Sequence, residues 1–278
     1  MALNGNTRIF AHIGYPTTTF RAPSIYNPYF DAAGVDARVV PMGVRAEDFH
    51  TAFPVIMRFA NVAGALITMP HKIAVVGMLD VVAPAVRVAG ACNAVKRLSD
   101  GRLVGDMFDG EGFARGLARN GVTVAGASAL IVGAGGVGSA IAASLAGHGV
   151  ARIGLFDPNE RATRSLEARL AAAYPDLRVE LVRPDPHGYD IAINASPLGM
   201  QDGDEMPFPV DRLDARTAVA DVVLKAEITP LLAAARARGC PIQTGLDMLF
   251  EQIPAYLEFF GLPTTTPEIL RRHARITP

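Results

Sequence analysis

The sequence has little cysteine, and this scarcity excludes two kinds of site. Cys92 and Cys240 are the two cysteines in 278 residues, too few for a disulfide framework. Cysteine and histidine residues nowhere have the spacing of metal ligands, so we expect no metal site. We expect both thiols to be buried, in a protein of a reducing compartment.

A surplus of charge and long apolar runs are also missing. Lysine and arginine number 26 against 27 acidic residues, and this net charge of −1 offers no basic surface for nucleic acid or anionic membranes. No apolar run approaches the length of a membrane span, and the N-terminal residues contain no apolar signal core. We expect a cytoplasmic protein that binds a small molecule and neither nucleic acid nor membrane, as a monomer or a homodimer.

The most informative feature present is an apolar run that ends in a G-x-G-x-x-G pattern. Leu130, Ile131 and Val132 lead into these glycines, and small and apolar residues follow. The pattern predicts a strand, a tight turn and a helix whose first N–H groups bind a pyrophosphate. The candidate cofactor-binding residues of this loop are Gly133, Gly135, Gly136, Val137 and Gly138.

An acidic residue follows the next predicted strand at the distance typical of dinucleotide-binding domains. Asp157 lies about 20 residues beyond the last glycine, where a carboxylate bonds the ribose hydroxyls and repels a 2′-phosphate. This predicts NAD as the cofactor. Arg161 and Arg164 leave NADP as a less favoured option. A glycine turn in an ordinary α/β domain, with Asp157 as a helix cap, is the alternative without a cofactor.

Strand-like and helix-like runs alternate along the whole chain, which predicts an α/β protein with two domains. The first block, before residue 109, has no nucleotide signal. From Gly245 the pattern becomes one long amphipathic helix, which we expect to return to the first block. We therefore predict a substrate-binding and catalytic domain of residues 1–108 plus 245–278, a Rossmann domain of residues 109–244, and a cleft between them.

Polar side chains follow predicted strands of the first block. Lys72 lies just past a buried strand and Asp109 lies at the junction of the blocks. In one cleft they would suit proton transfer, because the carboxylate holds the ammonium and desolvation lowers the pKa of the lysine. Both residues also begin predicted helices, and the helix that Lys72 begins covers residues 72–79. The alternative is therefore that Lys72 and Asp109 only cap these helices at the protein surface.

These segments together resemble the shikimate/quinate dehydrogenase family over nearly the whole chain. The similarity to the family's motifs extends, in order, through Thr68-Met69-Pro70-His71-Lys72, Gly90-Ala91-Cys92-Asn93, Asp109-Gly110, Asn194-Ala195-Ser196-Pro197-Leu198-Gly199-Met200, Thr229-Pro230-Leu231 and Gly245-Leu246-Asp247-Met248-Leu249-Phe250-Glu251-Gln252. The resemblance implies an oxidoreductase with a substrate domain and a Rossmann domain, connected with aromatic amino acid biosynthesis.

The resemblance also implies roles for individual residues. Lys72 and Asp109 correspond to the catalytic pair, in which the lysine accepts the hydroxyl proton as hydride leaves for the nicotinamide. The corresponding ligands of the substrate hydroxyls are Thr68, Asn93 and Gln252. Further cofactor-binding residues implied in this way are Asn194, Ser196, Val222 and Gly245.

The chain differs from the family in the segments that determine substrate specificity. Phe20 and Ala22 stand where the family has two serines that hold the substrate carboxylate, and Leu66, Met107, Phe108 and Leu224 replace other polar or aromatic residues of its motifs. Each lost hydrogen bond costs about 1–3 kcal/mol, so shikimate is expected to be a poor substrate. Arg21, assisted by Thr17, Thr18 or Thr19, would be able to bind a carboxylate from another direction, and Thr18 is the candidate ligand we name among them.

The sequence therefore predicts an NAD-dependent oxidoreductase that interconverts a secondary alcohol and a ketone on a shikimate- or quinate-like cyclic hydroxy acid. A regulatory protein that binds NAD without turnover is the main alternative, and the presence of both Lys72 and Asp109 speaks against it. A different Rossmann enzyme, such as a methylene-tetrahydrofolate dehydrogenase, leaves the Asn93 and Gln252 segments unexplained.

Overall fold

The computed structural model describes residues 3–276, and their contacts divide the chain into two compact units. The first unit contains the residues up to Val86, Ala91–Phe108 and the residues from Ile253 onward, and the second contains Arg87–Gly90 and Asp109–Gln252. Residues 245–252, which the sequence analysis placed in the first domain, thus belong to the second unit.

Strands and helices alternate, as the sequence predicts. The strands are β1 (Arg8–Gly14), β2 (Ala37–Gly43), β3 (Val62–Ile67), β4 (Val81–Val82), β5 (Ala94–Arg97), β6 (Leu103–Asp106), β7 (Ser128–Val132), β8 (Arg152–Phe156), β9 (Arg178–Leu181), β10 (Ile191–Asn194), β11 (Ala218–Asp221) and β12 (Ile242–Gln243). The helices are α1 (Ala22–Ala33), α2 (Phe49–Ile56), α3 (Pro84–Ala89), α4 (Asp109–Arg119), α5 (Gly136–Gly147), α6 (Glu160–Ala173), α7 (Pro230–Ala237), α8 (Gly245–Phe259) and α9 (Pro267–His273).

The first unit is built on a mixed sheet in the strand order β2-β1-β3-β5-β6-β4. Strands β1, β2 and β3 are parallel, whereas β5 is antiparallel to both β3 and β6. Strands β5 and β6 form a hairpin whose turn contains Gly101. The carboxyl ends of β1 and β3 consequently lie at the same edge of the sheet as the start of β5.

The second unit is built on a parallel sheet in the order β12-β11-β10-β7-β8-β9. This is the order typical of dinucleotide-binding domains, and it places a crevice beyond the carboxyl ends of β7 and β10, where the strand order reverses. Ile131, Ile141 and Leu155 are wholly buried between the sheet and its helices, and each such side chain contributes about 1.5–3 kcal/mol. The α/β prediction is confirmed.

The helix expected over residues 72–79 is not an α-helix. A short 3₁₀ segment, Ala74–Met78, is present instead. Val75 and Val76 are β-branched and Gly77 is the weakest helix former after proline, so these residues do not sustain an α-helix. The expectation that Lys72 begins a helix is therefore wrong. Among residues 3–276, no helix is long and apolar enough to cross a membrane.

Candidate active site

The glycine loop of the second unit begins where β7 ends. Gly133 has a φ of +109°, and a Cβ there would lie 2.6 Å from the carbonyl carbon of Ala195. A Cβ on Gly138 would collide with the backbone oxygen of Gly133, whereas Gly135 faces open space. The two packed glycines make the turn tight, and the open one leaves room beside the start of α5. The first N–H groups of a helix have no acceptor within it, so this loop fits a pyrophosphate.

Asp157 follows β8 and is half-buried. Its Oδ2 accepts a hydrogen bond of 2.8 Å from the backbone N–H of Ala134, and its Oδ1 accepts one of 2.8 Å from that of Asn159, the N-cap of α6. The carboxylate therefore ties the glycine loop to the start of α6. This supporting role is not predicted by the sequence, and it is compatible with a role of Asp157 in choosing the cofactor.

The loop after β10 is shaped by the side chain of Asn194. Its Nδ2 donates to the carbonyl of Leu198 at 2.9 Å and to Oδ1 of Asp221 at 3.0 Å. Its Oδ1 accepts from the backbone N–H and the hydroxyl of Ser196, at 3.1 and 2.6 Å. An amide side chain makes about four hydrogen bonds, and all four are internal here. Asn194 thus supports the loop, and burial raises the pKa of its neighbour Asp221.

Helix α8 begins against the end of β11. A Cβ on Gly245 would lie 2.8 Å from the carbonyl oxygen of Val223 and 2.9 Å from that of Val222. Glycine is required for this close approach. Val222 and Gly245, both expected to bind the cofactor, therefore lie together at the edge of the sheet where β7 and β10 also end.

Asp109 and Gln252 lie on two packed helices of the second unit. Asp109 is the first residue of α4 and is 3% exposed. One turn further along, a Cβ on Gly112 would lie 2.6 Å from the Cβ of Gln252, so α8 approaches α4 closely at this point. Oε1 of Gln252 is buried and has no hydrogen-bond partner among residues 3–276.

In the first unit, three predicted site residues lie at one edge of the sheet. The backbone N–H of Thr68 donates to the carbonyl of Ile13 at 2.9 Å, which joins the ends of β1 and β3. The N–H of Cys92 donates to the carbonyl of Lys72 at 2.8 Å, which holds the lysine segment beside Asn93. The fold thus brings Thr68, Lys72 and Asn93 together from three segments of the chain.

Asn93 is fully buried and only part of its amide is used. Oδ1 accepts a hydrogen bond of 3.0 Å from the backbone N–H of Phe108, and the backbone carbonyl of Asn93 accepts one of 3.2 Å from the hydroxyl of Tyr256. Nδ2 has no partner in the described part of the chain. An unpaired buried donor costs about 1–3 kcal/mol, which a hydroxyl of a bound substrate would recover.

The loop before α1 places an aromatic ring at this edge. The ring of Phe20 stacks on that of His12, with centroids 4.1 Å apart, and a Cβ on Gly14 would lie 3.0 Å from Cζ of Phe20. Thr18 is exposed in a 3₁₀ turn, and Arg21 is half-buried immediately before α1. Thr18 and Arg21 were the two expected ligands of a carboxylate. Thr18 is exposed to solvent, and Arg21 is partly buried.

His12 and His71 are both buried in the first unit, and neither is among the site residues predicted from the sequence. Burial, assisted by the positive charge of Lys72, lowers the pKa of His12 to about 3. His71 is structural, because its ring stacks on Phe49 at 4.0 Å and its Nε2 lies 2.7 Å from the carbonyl oxygen of Val44. A histidine between the apolar residues Ile9–Ala11 and Ile13 was the one signal that the sequence offered for His12.

Comparisons with known proteins identify the family of this chain. Residues 13–95 match the model of the shikimate dehydrogenase substrate binding domain, and residues 122–181 match that of the ThiF family. An NADP(+) shikimate dehydrogenase of Geobacter metallireducens is 34% identical, over 98% of this chain and 97% of that protein.

Two solved structures have the same fold along their length. Quinate dehydrogenase of Corynebacterium glutamicum, in complex with NAD, is 29% identical with a TM-score of 0.85, over 96% of this chain and 98% of that one. The ligand-free 5-ketofructose reductase of Gluconobacter sp. strain CHM43 is 27% identical with a TM-score of 0.85, over 97% and 98%. The chain accordingly belongs to the shikimate dehydrogenase family of oxidoreductases, which act on CH–OH groups.

Proposed function

We propose that this enzyme transfers hydride between NAD and a secondary alcohol of a polyhydroxylated small molecule that differs from shikimate at its carboxylate end. The observation that carries the proposal is the amide of Asn93, which is fully buried with Nδ2 unpaired on the edge that also holds Lys72. Gln252 repeats the pattern in the second unit with its unpaired Oε1. Buried polar atoms of this kind suit the hydroxyl groups of a bound substrate.

The resemblance to the family supplies the roles of the residues. Lys72 accepts the hydroxyl proton of the substrate as the C–H hydride leaves, and Asp109 is the acidic residue that the resemblance pairs with it. Thr68, Asn93 and Gln252 bind the other hydroxyls. The bound nicotinamide supplies the hydride acceptor. The first unit then serves as the substrate domain and the second as the nucleotide domain.

The substrate differs from shikimate at its carboxylate end. Phe20 and Ala22 offer no hydroxyl at the positions where the family resemblance expects serines, and the ring of Phe20 lies over His12 instead. The 5-ketofructose reductase among the similar structures supports this proposal, because its named substrate has no carboxylate. Arg21 carries the second candidate, a hydroxy acid whose carboxylate binds to the guanidinium.

NAD is the cofactor that Asp157 favours, although curated relatives are named for NADP(+). A carboxylate at this position repels a 2′-phosphate. Of the two arginines that would favour NADP, Arg164 forms an ion pair of 3.7 Å with Glu160, and Arg161 is exposed in the first turn of α6. The ratio of kcat/KM for NAD to that for NADP measures this preference.

Turnover with a panel of alcohols and ketones tests the function. The panel contains shikimate, its methyl ester, quinate and 5-ketofructose, each assayed by the absorbance of the reduced nicotinamide. We expect turnover of at least one member, and its loss by about 10³-fold or more in Lys72→Met with the Kd for NAD unchanged.

A second lysine of the first unit provides the matched control. Nζ of Lys96 donates to the carbonyl of Phe259 at 2.8 Å and lies over the ring of that residue. Lys96→Met therefore removes a lysine charge without touching the proposed proton acceptor, and it should keep the parent kcat. Binding of NAD without turnover of any panel member would favour the regulatory alternative, and equal turnover in Lys72→Met would remove Lys72 from the chemistry.

A further inference from the structure

His12 is a histidine between the apolar residues Ile9–Ala11 and Ile13 of β1. It lies in the carboxyl half of β1, paired with Leu66 of β3 two residues before Thr68. Its side chain is 8% exposed. Histidine is seldom placed this deep without a partner, so its presence at the edge that carries Thr68 and Lys72 requires an explanation.

The imidazole of His12 is buried and only partly hydrogen-bonded. Nδ1 is buried and has no hydrogen-bond partner within residues 3–276. Phe20 covers one face of the ring, with centroids 4.1 Å apart, and the positive charge of Lys72 opposes protonation. The ring is therefore neutral, and its Nδ1 is not used in a hydrogen bond within the described residues.

We propose that His12 is a substrate-binding residue, and that its Nδ1 forms a hydrogen bond with a hydroxyl of an uncharged polyhydroxylated alcohol or ketone. The inference rests on the proposed function and narrows its substrate class. A hydroxyl both donates and accepts, so it pairs with either tautomer of the imidazole. A carboxylate accepts only, and the neutral ring and the apolar Phe20 beside it offer it no charge to offset its desolvation.

The other binding groups at this edge have the same character. The hydroxyl of Thr68 and Nδ2 of Asn93 are neutral, as is His12 Nδ1. Lys72 is occupied by the proton transfer proposed above. Three neutral hydrogen-bonding groups beside one proton acceptor suit several hydroxyl groups of one substrate, without a charged anchor.

A pair of variants separates this role from a merely structural one. His12→Phe keeps a flat ring for Phe20 to stack on and removes the hydrogen bond. His12→Asn restores a polar atom close to the position of Nδ1. For methyl shikimate or 5-ketofructose we expect His12→Phe to raise KM and the calorimetric Kd about tenfold, equivalent to about 1.4 kcal/mol, with kcat changed less than threefold. We expect His12→Asn to recover most of the affinity.

Three comparisons complete the experiment. Shikimate against its methyl ester isolates the carboxylate charge on one ring, and we expect the ester to have the higher kcat/KM. His50→Phe, at an exposed histidine of the same unit, should leave KM unchanged. The Kd for NAD should be the same in every variant.

The outcomes distinguish the two proposals. Equal KM and Kd for uncharged compounds in the parent enzyme and His12→Phe would overturn the role of His12, as would binding of acids alone, while the proposed function would stand. Binding of uncharged compounds without any turnover would overturn the proposed function alone. If His12→Phe fails to fold, the parent enzyme and His12→Asn are compared on shikimate and its methyl ester. A higher kcat/KM for the acid than for the ester would then contradict the proposal.

Discussion

Replacing His12 by asparagine should make the stability of this protein less sensitive to acid. Burial and the charge of Lys72 lower the pKa of His12 to about 3 in the folded protein, against an ordinary value of 6.5. Between these two values the unfolded chain binds a proton that the folded protein does not. The contribution of His12 to the free energy of unfolding is therefore greatest above pH 6.5 and falls as the pH is lowered toward 3.

The size of the effect follows from the two pKa values. One unit of pKa is about 1.4 kcal/mol, and linkage gives a loss of about 2 kcal/mol between pH 7 and pH 5 from this one side chain. Such a loss is a substantial part of the 5–15 kcal/mol by which folded proteins are ordinarily stable. His12→Asn has no titratable group there, so its loss over the same range should be smaller by about 2 kcal/mol.

Urea denaturation at pH 7, 6 and 5, followed by circular dichroism, measures the difference between the parent and the variant. Other titrating groups, including His71, whose pKa burial also lowers, are the same in both proteins and cancel in the comparison. His50→Gln, at an exposed histidine of the same unit, is the control and should follow the parent curve. Parallel curves for the parent and His12→Asn would refute the conclusion that burial keeps this ring neutral.

Three further predictions concern the cofactor and the substrate. Asp157→Asn keeps an acceptor for the glycine loop and removes the charge, so the ratio of kcat/KM for NADP to that for NAD should rise about tenfold or more, and an unchanged ratio would contradict its role in selection. Gly135→Ala should weaken NAD binding in calorimetry and leave the Tm unchanged, whereas Gly138→Ala should weaken NAD binding and also lower the Tm. The reason is that a Cβ on Gly138 collides with backbone in the free protein and a Cβ on Gly135 does not, so equal losses of Tm would contradict the geometry. Phe20→Ser should raise kcat/KM for shikimate relative to its methyl ester by about tenfold, the effect of one recovered hydrogen bond to a charged group, and an unmoved ratio would show that this position does not contact the carboxylate end.

The sequence by itself determined the α/β class and the nucleotide-binding strand, turn and helix. These features depend on local patterns: Leu130–Val132 must form a strand that ends at glycines, and the spacing to Asp157 is set by one helix and one strand. The long helix from Gly245 was equally readable from its amphipathic pattern. Propensity also explains the one local error, since β-branched residues and a glycine after Lys72 favour a 3₁₀ segment over an α-helix.

Only the tertiary structure decided which polar atoms are buried and unpaired. Asn93 and Gln252 were named from resemblance, but their open hydrogen-bonding positions depend on what packs around them. Asp157 gained a supporting role because the fold brings Ala134 within 2.8 Å of it. The sequence offered only a weak signal for His12, because one histidine among apolar residues has no periodic signature. Its neutral ring results from neighbours supplied by distant segments, Phe20 above it and Lys72 beside it.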